Sequence, residues 1–270
     1  ERLLFFVFGI ILFLSTLAIL LQINAYLTVE VPRQGGVLRE GVVGTPRFIN
    51  PLLAISDPDR DLSTLVYSGL LRATPEGTLI PDLAESYGIS EDGLIYSFVL
   101  KEGLEFHDGT PITTDDVEFT IEKAQDPGLK SVKRANWDGI SVDKISSREI
   151  HFILKQPYAP FLENTTLGIL PKAIWKEASG AEEFSYSPFN VEPVGSGPYK
   201  IKGVERNASG IPQRYILSPF KGYALGMPYI DQIELRFFRN EEALVDALSK
   251  GEVDSINSIT PQNTAFLELN

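Results

Sequence analysis

Few residues in this chain have the chemistry for bond-making or metal binding. There is no cysteine, which removes a thiolate nucleophile, thiolate metal sites, disulfides and a lipid-modified Cys anchor. The two histidines, His107 and His151, are too few to build a zinc site without ligands that the sequence does not nominate. His107 stands in the turn Phe106-His107-Asp108-Gly109, where a structural role is expected of it. Gly195-Ser196-Gly197 lacks the Gly-x-Ser-x-Gly spacing of a hydrolase elbow, so Ser196 is not read as a nucleophile. Trp137 offers a ring that either stacks on a ligand or fills a core. Lys133 and Arg134, just before it, either meet a carboxylate or form a solvated basic turn. Capture of a ligand is therefore expected ahead of chemistry on it: no catalytic residue is assigned, and no cofactor or metal is expected.

The elements that position these residues alternate between strand and helix signals. After Gly35-Gly36, a strand is predicted over Val37–Gly41. Asn50-Pro51 through Pro58 reads as a loop of turn formers, followed by helical spacing from Leu62 to Leu71 with Gly69 as its stop. Tyr96, Phe98 and Leu100 alternate as a half-buried strand, as do Ile150, Phe152 and Leu154. Between them Thr113 and Asp116 approximate a capping box, opening a helix that Asp126-Pro127-Gly128 ends. Pro188 to Pro198 reads as a crossing between subdomains. Ile233, Leu235 and Phe237 then form a strand, Asn240 caps a helix over Glu241–Ser249, and Val253 to Ile256 returns as a strand. That unit predicts a right-handed crossover onto a parallel pair. The fold class is mixed α/β.

Composition narrows the partners. With 24 basic and 36 acidic residues the net charge is −12, and no basic stripe is present, so no nucleic-acid partner is expected. One asymmetry stands out. Leu3 to Leu21 is uncharged and apolar apart from Gly9, Ser15 and Thr16. At about 1.5 Å per residue such a helix covers most of a roughly 30 Å hydrocarbon core. A signal peptide has a shorter apolar run of about 7–15 residues followed by a small-residue site, and here only Ala25 suits cleavage. The reading is a transmembrane anchor or signal segment at residues 1–25, with the uncleaved anchor preferred, a linker at 26–34, and a folded domain on one membrane face.

A series of short motifs runs along the chain: Gly35-Gly36-Val37-Leu38, Asn50-Pro51, Leu65 to Leu70, and Pro81-Asp82-Leu83-Ala84-Glu85-Ser86. Then come Phe106 to Pro111, Thr113 to Val117, Pro157 to Leu162, Pro193 to Tyr199, and Gly251-Glu252-Val253-Asp254. Each is weak alone; their order across residues 35–256 is specific. Together they resemble the extracytoplasmic solute-binding proteins of family 5, which feed peptide, nickel and oligosaccharide ABC importers.

The resemblance implies a type II periplasmic-binding-protein fold, of which this chain holds the first lobe. Its core subdomain is expected at 35–68 plus 190–270, an inserted α+β subdomain at 69–189, and the second lobe outside this chain. It implies that the segment after Asn50-Pro51 lines the cleft, which nominates Ile55, Ser56 and Asp57. Asp57 has two open roles, pairing with a ligand amino terminus or starting a turn before Pro58. The implied function is a membrane-tethered receptor on the extracytoplasmic side, a monomer that closes two lobes over an oligopeptide and delivers it to ABC permease subunits. Nickel-chelate or oligosaccharide capture, or ligand sensing without transport, are the alternatives.

Overall fold

The computed structural model describes residues 2–27, 33–178, 180–257 and 259–260, and it divides into two units, Glu1–Gln34 and Gly35–Asn270. The first holds helix α1, Arg2–Leu27. Its window Leu4–Ile23 has a mean hydropathy of 2.9, long and apolar enough to cross a membrane. The expected linker falls mostly on residues 28–32, outside the described ones.

The second unit begins with strand β1, Val37–Val43, which continues past the predicted end at Gly41. Helix α2 spans Asp57–Val66, a correction to the expected Leu62–Leu71. The residues that read as turn formers are its start signal. Ser56 is the N-cap, its hydroxyl accepting from the Asp59 N–H while the Asp59 carboxylate accepts from the Ser56 N–H, and Pro58 sits in the first turn. The helix ends ahead of Gly69 because Tyr67 is extended, with φ −115° and ψ 153°.

The chain then builds a separate sheet. A hairpin of β2, Leu71–Ala73, and β3, Leu79–Pro81, leads into β4, Ala84–Ile89, and β5, Ile95–Leu100. Helix α3, Thr114–Gln125, starts at the predicted box of Thr113 and Asp116. The short helix α4, Arg134–Trp137, is followed by β6, Ser141–Lys144, and β7, Glu149–Ile153. These strands form an antiparallel sheet in the order β4-β5-β7-β6. Tyr96, Phe98, Leu100, Ile150 and Phe152 all face inward and are buried, as their alternation predicts. Three short helices follow: α5, Phe161–Asn164; α6, Lys172–Trp175; and α7, Ala181–Tyr186.

The chain returns to the first sheet through β8, Tyr199–Arg206, and β9, Pro212–Pro219, a hairpin the sequence reading does not assign. Strand β10, Gln232–Phe238, helix α8, Glu241–Ser249, and strand β11, Ser255–Ile256, complete it. The sheet order is β11-β1-β10-β9-β8. Here the crossover differs from expectation: β11 pairs with β1 instead of β10, and β1 runs parallel to both. Arg39 locks that edge, its guanidinium gripping both oxygens of Asp254 at 2.7 and 3.1 Å. One continuous apolar core joins the two sheets, from Val42, Tyr215 and Leu235 on one side to Phe98 and Phe152 on the other.

Candidate functional site

The loop between β1 and α2 is held from below, so that its tip can face outward. Asn50 is fully buried, its Oδ1 accepting from Leu52 N at 2.9 Å and its Nδ2 donating to Asn190 Oδ1 at 3.0 Å. Asp59, 3% exposed, accepts from the N–H groups of Arg47 and Phe48 at 2.6 and 2.9 Å. With its backbone groups satisfied in this way, the loop keeps a fixed shape while Ile55 stays 64% exposed.

Along one face of α2 stand Arg60, Ser63 and Thr64, with Tyr67 just past the helix end, at helical spacing. They form one wall of a cavity of about 410 Å³, within the size range of small-molecule sites. Pro51 and Ala54 of the loop adjoin them. The opposite wall comes from β2 (Arg72) with Asp82, from Lys133 and α4 (Asn136, Trp137), and from α5 (Glu163, Asn164). The walls are tied together: Ser131 Oγ donates to the Leu52 carbonyl at 2.8 Å, and Asn136 and Asn164 exchange bonds at 2.9 and 3.0 Å.

The electrostatics of this cavity run against those of the whole chain. Arg60, Arg72 and Lys133 line it against Glu163 and Asp82. Arg60 donates to the Ile55 carbonyl and pairs with Asp57. Arg72 donates to Tyr223 Oη at 2.7 Å, lies 5.7 Å from that ring's centroid, and faces Asp82 at 3.5 Å. Asp82 is 1% exposed; its burial raises its pKa and the Arg72 charge opposes that rise. Burial also pushes the Tyr223 hydroxyl up to about 12, so it remains a neutral partner. Ser63 Oγ, Tyr67 Oη and both Asp82 oxygens are buried without a hydrogen-bond partner among the described residues.

The structure brings some of the nominated residues together and separates others. Lys133 and Trp137 line the cavity. Trp137 is 1% exposed, its ring 5.4 Å from Phe152 and 5.6 Å from Phe161. The core role is thus the one this ring takes, and a ligand ring has no open face of it to stack on. Ile55, Ser56 and Asp57 sit directly beside Ala54 at the start of α2, where Ser56 caps and Asp57 pairs with Arg60. Arg134 is exposed and lies outside the cavity wall. Sequence reasoning missed Arg60, Tyr67, Arg72 and Asp82. Arg60 had a signal, its place three residues after Asp57 on a helix; the Arg72–Asp82 pair had none.

The remaining motifs are scaffold. Gly195 and Gly197 lie against the last turn of α2, where a Cβ would stand 2.1 Å from the Val66 oxygen and 2.6 Å from its carbonyl carbon. That approach lets Gly197 N donate to Val66 O at 2.8 Å. His107 closes the same seam. Its N–H donates to the Gly195 carbonyl at 2.7 Å, and Nε2 donates to the Gly197 carbonyl at 3.0 Å. Nδ1 accepts from Gly195 N at 3.4 Å. Burial pushes the imidazole down to about 4, with the Gly197 bond opposing, so the ring is neutral at pH 7. His151 lies on β7 beside Glu149 at 3.2 Å. Among the described residues no cluster of three or more metal-ligating side chains is found.

Comparison with known proteins places this geometry in a wider group. Residues 78–270 match the model of the bacterial extracellular solute-binding proteins, family 5 Middle. The oligopeptide-binding protein AppA of Bacillus subtilis is 31% identical over 231 residues, which are 84% of this chain and 41% of that protein. Its structure in complex with a nonapeptide aligns with a TM-score of 0.75 at 30% identity, covering 83% of this chain and 44% of that one. NikZ from Campylobacter jejuni, in complex with Ni(L-His), aligns with a TM-score of 0.71 at 28% identity, covering 80% and 42%. The chain spans between 29% and 42% of the length of the curated relatives it matches.

Proposed function

The chain belongs to family 5 of the bacterial extracellular solute-binding proteins, and from that premise we propose that it captures oligopeptides outside the cytoplasm for an ABC importer. The observation that carries this reading is the cavity beside the loop Ile55–Asp57. It is large enough for part of a peptide and carries polar groups of both charges on a preformed wall. Its likeness to a nonapeptide-bound structure supports a peptide as occupant. In this reading residues 35–68 and 190–270 form the core subdomain of one lobe and 69–189 its insertion. A second lobe closes on the first over the ligand, as hinged binding proteins do. Ile55, Ser56 and Asp57 contribute to the cleft from the start of α2, with Arg60 and Lys133 lining the cavity beside them. Helix α1 tethers the protein to the membrane as an uncleaved anchor, the folded unit is monomeric, and permease subunits are its partners. No step of chemistry on the ligand is part of this role.

Titrating the full-length protein with a mixed oligopeptide pool in a calorimeter tests the assignment. Saturable heat is expected; none across a broad pool overturns it. A second reading, capture of a nickel chelate, is favoured by the likeness to NikZ with Ni(L-His). A thermal shift with nickel and histidine together, and none with peptides, would select it.

A further inference from the structure

The loop between β9 and β10, residues 220–231, exposes apolar side chains on a pinned backbone, and we infer that it lies on the lipid surface of the membrane that holds α1. This goes beyond ligand capture and rests on one part of that reading, α1 as an uncleaved anchor. Residues 222–230 carry no charge. Leu225, Met227 and Tyr229 are 41%, 37% and 57% exposed. Their loop is nevertheless fixed. Tyr223 Oη accepts from Arg72 at 2.7 Å, the Ala224 carbonyl from Lys101 Nζ at 3.1 Å, and the Ile230 carbonyl from Tyr199 Oη at 3.2 Å. Gly226, with φ +93°, turns the chain at the tip. Apolar groups held out together from a fixed loop mark a contact surface. Leucine, methionine and tyrosine suit a bilayer interface, where the tyrosine ring is buried and its hydroxyl stays wet.

Lipid is the occupant because of where this loop meets the chain. The Tyr229 carbonyl accepts from Gly35 N at 2.8 Å, and Gly35 is the first residue of the folded unit. Only residues 28–34 separate Gly35 from the last residue of α1. Fully extended, that path covers at most about 29 Å. So short a tether raises the effective concentration of lipid at the loop to about the millimolar range, where a contact of a few side chains is populated. A partner free in solution has no such advantage. The net charge of −12 offers no attraction to anionic headgroups, so apolar and aromatic contact has to carry the association.

The chain has no cysteine, so a single introduced thiol takes a single fluorophore. The full-length protein, in phosphatidylcholine vesicles, is labelled with nitrobenzoxadiazole at Met227→Cys or at Ile211→Cys. Ile211 is 46% exposed and stands at the other end of β9, eight residues or about 26 Å away. Melting at the wild-type temperature would show that each variant is folded. The label at position 227 should shift to the blue by about 10 nm and lose about half its emission to doxyl-labelled lipid, and the label at position 211 should do neither. Adding Leu225→Ser and Tyr229→Ser should abolish both effects. If the two labels behave alike, the lipid contact is overturned while the anchor stands. A blue shift without doxyl quenching overturns it too, since a second copy or another protein then covers the loop. If the protein does not float with the vesicles, the anchor reading fails and the inference with it.

Discussion

The two ends of α2 are built from the same helix and put to opposite uses. At its start, Ile55 is 64% exposed, and Asp57 and Arg60 pair in solvent with side chains 49% and 58% exposed. At its end, Val66, Tyr67 and Ser68 are at most 4% exposed, and two glycines press onto the last carbonyl. The first end satisfies its backbone internally through Ser56 and Asp59, which leaves its charged side chains available. The second satisfies its backbone through a distant segment, which leaves no space for a side chain at all. Family-identifying motifs cluster at the closed end, and the exposed charged side chains cluster at the open one. A motif that identifies a fold therefore need not touch what the fold binds.

The sharpest break in that comparison comes from filling the closed end. Gly195→Ala sets a Cβ 2.1 Å from the Val66 oxygen, where backbone must move. A loss of about 3 kcal/mol, roughly 8 °C in Tm, is expected by thermal melting. Peptide affinity of the protein that remains folded should be unchanged; an equal loss of affinity would merge the two ends into one functional unit.

Acid offers a second way in. The His107 pKa of about 4 in the fold lies below its ordinary 6.5, so between these values the unfolded chain binds the extra proton. His107 thus contributes stability that is whole above pH 6.5 and is lost as pH falls through 4. Denaturant titrations of wild type and His107→Gln across that window should converge by about 3 kcal/mol at the acid end. Parallel curves would remove His107 from the seam.

Smaller effects are expected at the open end. Ser56→Ala removes the cap of α2 and should cost about 1 kcal/mol in chemical denaturation. Arg60→Gln breaks only a solvent-exposed pair, so stability should change by less than about 0.5 kcal/mol, while peptide binding weakens roughly fivefold in calorimetry. A large stability loss from Arg60→Gln would erase the contrast between the two ends.

The same contrast explains what the sequence made legible. Helices α3 and α8 were readable because Thr113 with Asp116, and Asn240, are local signals whose geometry needs nothing from the rest of the chain. The start of α2 was not, since Ser56-Asp57-Pro58-Asp59 serves equally as a turn and as a capping box. Only the buried contacts of Asp59 with Arg47 and Phe48 decide between them. The hairpin of β8 and β9 hid behind register shifts at Ile201/Gly203 and Glu205/Arg206, which interrupt the alternation. Lys133 and Trp137 drew notice by residue type alone. The cavity they line joins residues 51 to 168, a juxtaposition that no local pattern encodes.

The position of β1 decides the order in which the folded unit is assembled. Val37 pairs with Gln232 and Glu40 with Ser255, so the earliest strand of the folded unit has no partners until its last strands exist. Both pairings of β1 span most of the chain, which makes the search for them slow. The β4-β5-β7-β6 sheet, by contrast, closes within residues 84–153, so the inserted sheet can form while β1 still waits for the β10–α8–β11 segment.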